Sequence, residues 1–202
     1  MASLKKLTGL SLESYLHELA SENPVPGGGS VSAYVASLGM ALTQMVGRVS
    51  LKRKKKQGLF PEDEKKEDAR REKIAGIVES AEKGKRDAFN IVNTDPEAYQ
   101  AVMDASGDDK KMEHALLNSF QVQADLGFLI VLARGWNNAM MELVSGSIKN
   151  DLLVADSLLS GAFDGAYYTA KINTVYMKDA AAKSKCEKNL IELMERFEKE
   201  NK

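Results

Sequence analysis

The sequence predicts an all-α protein, an up-and-down bundle of long helices, and three observations carry that prediction. Apolar residues recur at helical spacing almost from end to end. No run of alternating β-branched residues is long enough for a sheet. Only 4 prolines occur, three of them in the first third, so little interrupts the helices that follow. With 202 residues, 44% of them hydrophobic, the chain has material for one sizeable core, and residues 1–202 read as a single domain.

Ser11 is placed to cap a first helix whose Leu12, Tyr15, Leu16 and Leu19 share a face, ending near Asn23-Pro24. Pro26-Gly27-Gly28-Gly29-Ser30 follows. From Val31 to Gly47 there is no charge and many side chains are small, among them Ala33, Ala36, Gly39 and Gly47. Gln44, Thr43 and Tyr34 favour a buried central helix over a membrane span. Small residues let another backbone approach closely, so a second helix is expected to cross here, from this chain or from another subunit.

The basic run Lys52-Arg53-Lys54-Lys55-Lys56 ends that helix, and Gly58 to Pro61 turns the chain. A polar helix is expected over Glu62 to Val92, with Ile74, Ile77, Val78, Ala81, Ala88 and Phe89 on its apolar side. Asn93 to Glu97 punctuates it. A short helix carrying Tyr99, Val102 and Met103 then closes at Gly107-Asp108-Asp109. The next helix spans about Lys110 to Val144. Its segment Leu126 to Ala133 is apolar on all sides, too short for a bilayer and read as buried core. Asn150 to Met177 has the clearest helical pattern, and Ala180 to Lys202 forms a charged amphipathic tail helix.

Composition narrows the function. With 28 basic against 29 acidic residues the net charge is −1, which does not indicate a nucleic-acid partner. Cys186 is the only cysteine, and His17 and His114 are the only histidines, an inventory too poor for a zinc site. No metal site is expected. Met1 to Leu10 carries Lys5 and Lys6 but no signal-peptide core, so the expected location is cytoplasmic, with no membrane association.

Four local signals are candidates for chemistry, and each has a bland local reading as well. The Gly27-Gly28-Gly29 turn either exposes helix N-terminal amides to an anionic or carbonyl oxygen, or makes a sharp bend with Ser30 as an ordinary cap. Arg53 to Lys56 either grips carboxylates or phosphates, or sits solvated at a helix end. Asp95-Pro96-Glu97 reads locally as an N-cap, a first-turn proline and an acidic first turn. Asp151 and Asp156 lie in an otherwise apolar helix, where a carboxylate needs a partner, although Asp151 also suits a helix start. Asn173 shares the face of Asp151 but lies roughly 33 Å away along one helix, too far to serve the same atom within one subunit.

Three blocks together resemble a known family, the cyclodeaminase domain of formiminotransferase-cyclodeaminase and the stand-alone methenyltetrahydrofolate cyclohydrolases. Pro26-Gly27-Gly28-Gly29-Ser30-Val31, running through Met45-Val46-Gly47 to Arg53-Lys54, is similar to the family's glycine-turn helix and basic pair. Asp95-Pro96-Glu97-Ala98-Tyr99 is similar to its D-x-E-A-F segment, and Asp151 to Asn173 to its stretch from S-D to I-N. The resemblance implies an all-helical homodimer without a metal, redox group or other tightly bound cofactor. The substrate is a tetrahydrofolate derivative, bound at or near the dimer interface. The implied reactions are loss of ammonia from 5-formiminotetrahydrofolate to give the 5,10-methenyl compound, or hydration of that compound to 10-formyltetrahydrofolate.

Both reactions need a proton acceptor for the attacking group and a donor for the departing nitrogen. The resemblance gives these roles to Asp95 and then Asp151. It gives the pterin or glutamate tail to Gly27, Gly28, Gly29, Ser30, Arg53 and Lys54, and counts Asn173 among the substrate-binding residues. The sequence departs from the family pattern at Asp108-Asp109-Lys110, Gly127-Phe128-Leu129, Gly146-Ser147 and Asn150. The alternative is therefore a diverged member that binds another small anionic ligand, with or without catalysis.

Overall fold

A computed structural model describes residues 6–55 and 60–200. After a 3-10 turn at Leu7–Gly9, the helices are α1 (Leu12–Leu19), α2 (Gly28–Lys52), α3 (Pro61–Asp104), α4 (Asp109–Leu143), α5 (Lys149–Tyr176) and α6 (Ala180–Lys199). No strand occurs among the described residues. Lys56 and the Gly58 part of the expected turn lie outside them.

Side chains start three helices where the sequence places them. Ser11 accepts from the Ser14 amide, Asp108 from the Lys111 amide, and Asp179 from the Ala181 and Ala182 amides. α1 ends at Leu19, earlier than the expected Asn23-Pro24, because the Ser21 hydroxyl turns back onto the Glu18 carbonyl at 2.7 Å.

Helices α2 to α5 run up, down, up and down, each antiparallel to its neighbours, and close into a four-helix bundle. Gly39 of α2 lies against Leu159 and Ala155 of α5, so the crossing helix expected at the small-residue segment comes from the same chain. Gly47 accommodates Val78 and Met140 in the same way, and Gly84 of α3 accommodates Trp136 and Met40. Gln44 of α2 donates to Glu82 of α3. α6 lies on α4 and α5, with Phe197 stacked on Phe163 at 3.6 Å between ring centroids.

The longest departure from expectation is α3, which does not break at Asn93 to Glu97 but runs through Pro96 for 44 residues. A proline inside a helix has no N–H for the carbonyl four residues back, here that of Val92. The Ser30 hydroxyl donates to that carbonyl at 2.9 Å, from 62 residues away in sequence. Local sequence makes Asp95 look like an N-cap because the group that mends the helix is remote. It is not a cap, and neither is Ser30, since Gly27 is the N-cap of α2.

On α4 the core-facing register Leu116, Phe120, Gln123, Gly127, Ile130, Arg134 and Asn137 contains three polar residues. Arg134 binds Asp156 through Nε and Nη2 at 3.0 and 2.9 Å and lies over the Phe197 ring, which gives Asp156 the partner its position demanded. Asn137 bonds the Leu152 carbonyl and accepts from Thr43. Leu132, inside the segment expected to be wholly buried, is 57% exposed because it lies on the outer side of α4. By length and composition α4 also passes for a membrane span, with a mean hydropathy of 1.4, and half of that window is buried within the bundle.

One outer face of the bundle is apolar. On α2 it presents Leu38, Met45 and Val49, and on the adjoining α5 Val154, Tyr168, Ile172 and Val175, all exposed. The spacing on each helix follows a heptad seam.

Candidate functional site

The Ser30–Val92 bond pins the start of α2 against the middle of α3, one turn from Asp95. Asp95 therefore points at the first turn of α2. Its carboxylate accepts from the Ser30 backbone amide and, at 2.7 Å, from Gln123 Nε2 of α4. Gly29 is required at this junction, because a Cβ there would overlap both the Asp95 carboxylate and the Gln123 amide. The glycine turn is thus a slot that admits a carboxyl group to a helix N-terminus. Tyr15 of α1 closes the other side, its hydroxyl 3.3 Å from Ser30 Oγ.

Asp95 is 8% exposed. Burial raises the pKa of its carboxyl above the ordinary value, and the bonds from Gln123 and Ser30 offset only part of that rise. Burial likewise raises the Tyr15 phenol, with the Asp95 charge adding to the effect. A helix N-terminus stabilises the carboxylate while desolvation disfavours it, which leaves a carboxyl suited to exchanging a proton.

One turn beyond this pair on each helix, Tyr99 of α3, Ser119 of α4 and Asn173 of α5 line a cleft of about 570 Å³. Met103, Met112 and Leu116 give it apolar walls, and Asp108, Asp109 and Lys178 lie at its mouth. That volume suits a small organic ligand with few polar groups. Asn173 Nδ2 donates to the Thr169 carbonyl at 2.9 Å.

The structure divides the sequence candidates into two groups. Gly27, Gly28, Gly29, Ser30, Asp95 and Asn173 gather at the end of the bundle where α2 begins. Arg53, Lys54 and Asp151 lie at the other end, roughly 35 Å away along the 25 residues of α2. Arg53 and Lys54 line a second cleft there, also about 570 Å³, with Ser50, Lys66 and Glu142. Arg53 is the C-cap residue of α2, and Arg71 of α3 donates to its carbonyl and to that of Leu51. His17 and His114 are exposed. Among the described residues, no three or more His, Cys, Asp or Glu side chains group as a metal site.

Gln123 and Tyr15 are the site residues that sequence reading passed over. Gln123 had a signal, an amide at helical spacing from the core-facing Phe120, Gly127 and Ile130 of α4, which implies a buried partner. One departure from the family pattern has a structural cause, since Gly127 leaves room for Leu193 of α6. At Gly146-Ser147 the glycine is kept, and Gly146 takes the left-handed φ of +88° in the α4–α5 turn.

The Ser30–Val92 bond makes a testable cycle. Ser30→Ala is expected to cost about 1–3 kcal/mol by orphaning a buried carbonyl. Pro96→Ala supplies the missing helix N–H, so adding it to Ser30→Ala should recover most of that loss in denaturant unfolding.

A family model described as formiminotransferase-cyclodeaminase matches residues 11–192. The formimidoyltransferase-cyclodeaminase of Gallus gallus is 25% identical over 204 residues, covering 95% of this chain and 35% of that protein. That of Sus scrofa is 27% identical over 196 residues, covering 91% and 34%. The chain thus spans about a third of the length of these curated relatives. The methenyltetrahydrofolate cyclohydrolase of Methylorubrum extorquens is 32% identical over 97 residues, covering 48% of this chain and 41% of that one. In three dimensions the chain matches the crystal structure of formiminotetrahydrofolate cyclodeaminase from Thermotoga maritima with a TM-score of 0.85 at 23% identity, over 96% of this chain and 93% of that one. At that identity the likeness establishes the fold.

Proposed function

The chain belongs to the formiminotransferase-cyclodeaminase family, and from that premise we propose that it transforms the one-carbon group of a tetrahydrofolate derivative, with Asp95 as the proton carrier. The observation that carries this reading is a buried carboxyl with a raised pKa, held at a helix N-terminus beside a ligand-sized cleft.

In the cyclising reaction, N10 attacks the formimino carbon on N5 and gives its proton to Asp95, and the same carboxyl returns a proton to the departing ammonia. In the hydrolytic reaction, water attacks the methenyl carbon, Asp95 accepts a water proton, and the C–N5 bond breaks as N5 is protonated. One carboxyl serves as base and then acid in each. Neither scheme uses a metal or other tightly bound cofactor. The reading extends to a cytoplasmic protein.

The second group of candidates enters through a homodimer. Two copies pairing through the apolar α2–α5 face, with their α2 helices antiparallel, would bring Arg53, Lys54 and Asp151 of one copy to the Asp95 end of the other. Gly161, on that face with nothing within 4 Å of its would-be Cβ, leaves room for a close approach. In this arrangement Arg53 and Lys54 hold the anionic glutamate tail, and Asp151 is a second carboxylate near the reacting carbon.

Purified protein is expected to accelerate the loss of near-ultraviolet absorbance of 5,10-methenyltetrahydrofolate, or to release ammonia from 5-formiminotetrahydrofolate. If both reactions stay at the buffer rate, the enzymatic reading fails, and folate binding without turnover would favour the alternative of a binding protein. Arg53→Ala with Lys54→Ala should raise KM roughly 10- to 100-fold with little change in kcat, the loss of one or two charge-assisted bonds. Mixing that double variant with Asp95→Asn protomers should restore activity at low substrate that neither has alone. No restoration would count against the two-copy site.

A further inference from the structure

We infer that Gln123 is the positioning residue of Asp95, its carboxamide turning over between two hydrogen-bonding arrangements as the carboxyl gains and loses its proton. This rests on the reading of Asp95 as proton carrier.

Gln123 is fully buried, and its Nε2 donates to Asp95 Oδ1 at 2.7 Å. Its Oε1 is buried too and has no donor among the described residues. A buried carboxamide that uses one end and strands the other is a costly arrangement. The stranded end acquires a purpose once Asp95 is protonated. The new O–H then needs an acceptor, and the carboxylate oxygen no longer needs the N–H. A half-turn about the last side-chain bond exchanges Nε2 and Oε1 without changing the shape of the group, since the two ends are nearly isosteric. Oε1 then accepts from the carboxylic acid and Nε2 becomes the stranded end. Each protonation state has one matched bond and one orphan, so neither is trapped.

The surroundings leave this task to Gln123. α1 faces Asp95 with the Tyr15 phenol, α2 with the Ser30 amide, and α4 with Gln123 itself. No neighbouring charge is among the causes of the Asp95 shift. The Ser30 amide is fixed in the helix backbone and can only donate, so it can bond a carboxyl oxygen in either form but cannot receive the O–H of the acid. Gln123 can serve both.

Two measurements test the inference, and neither requires turnover. In the wild-type protein, the Gln123 side-chain amide proton resonances should move with pH, with the same midpoint as the Asp95 carboxyl stretch in difference infrared spectra. In Gln123→Met, of similar shape but without the amide, loss of the charged form's donor should raise the Asp95 midpoint by about one pH unit or more. Where activity is present, the acid limb of the pH–kcat profile should move up with it, KM should change little, and Gln123→Glu should restore neither. Amide resonances that ignore the Asp95 titration, or a folded Gln123→Met with an unmoved midpoint, would overturn the inference. Full activity in Asp95→Asn would instead overturn the catalytic reading, and the spectroscopic result would separate the two.

Discussion

Asp95→Asn is expected to lower turnover by about 10³-fold while leaving the protein folded and at least as stable as wild type. The size is that of losing a positioned general acid–base. Stability is expected to survive because an amide of the same shape can accept from the Ser30 amide and give the stranded Gln123 Oε1 a donor. The sign of the pH dependence follows from the direction of the shift. A carboxyl whose folded pKa is raised loses stability on ionising, so wild type and variant should be equally stable at low pH. The variant's advantage should appear as pH rises through the ordinary carboxylate range, grow up to the raised Asp95 value, and stay constant above it. Thermal unfolding of both proteins across pH, beside the methenyl assay, reads all of this. Full activity in the variant would remove Asp95 from the mechanism. A variant much less stable at neutral pH would mean that the ionised carboxylate is a structural anchor.

Gly29→Ala should be nearly as damaging to activity and, unlike Asp95→Asn, should destabilise. Ala is the better helix former, so at an open helical position the change ordinarily gains up to about 1 kcal/mol. At Gly29 the added methyl has no room, because the Asp95 carboxylate and the Gln123 amide occupy its place and are themselves held in the core. Relief requires breaking the Gln123–Asp95 bond or shifting the start of α2, for a net loss of roughly 1–3 kcal/mol. Gly76 on α3 is the control, exposed and with nothing within 4 Å of its would-be Cβ. Gly76→Ala should stabilise and leave catalysis alone. If the two substitutions behaved alike in chemical denaturation, the tight approach at Gly29 would be disproved.

Much of the bundle was legible in the sequence because its signals are local. The cap at Ser11, and apolar stripes of helical period, need only neighbouring residues to be read. The middle of α3 was misread because Pro96 inside a helix depends on a hydroxyl in another helix, and no window around Asp95 contains Ser30. The site was legible by halves for the same reason. The glycine turn and Asp95 stood out separately, each with a bland local explanation, and only the packing of α2 on α3 makes them one device. Gln123 stood out less, because Gln121 and Asp125 beside it make it look like one more polar residue ahead of the apolar run Leu126 to Ala133. Arg53, Lys54 and Asp151 were grouped with Asp95 by resemblance, but the length of α2 separates them within one copy.

The hydroxyl that mends α3 also bears on how this site can be inherited. Ser30 and Pro96 answer one another, the proline opening a gap in a helix and the serine filling it. A lineage that replaced the proline would free the serine to drift, whereas one that lost the serine first would strand a carbonyl in the interior. Relatives should therefore not hold the proline without the serine, and an ancestor in transit should shed the proline before the serine.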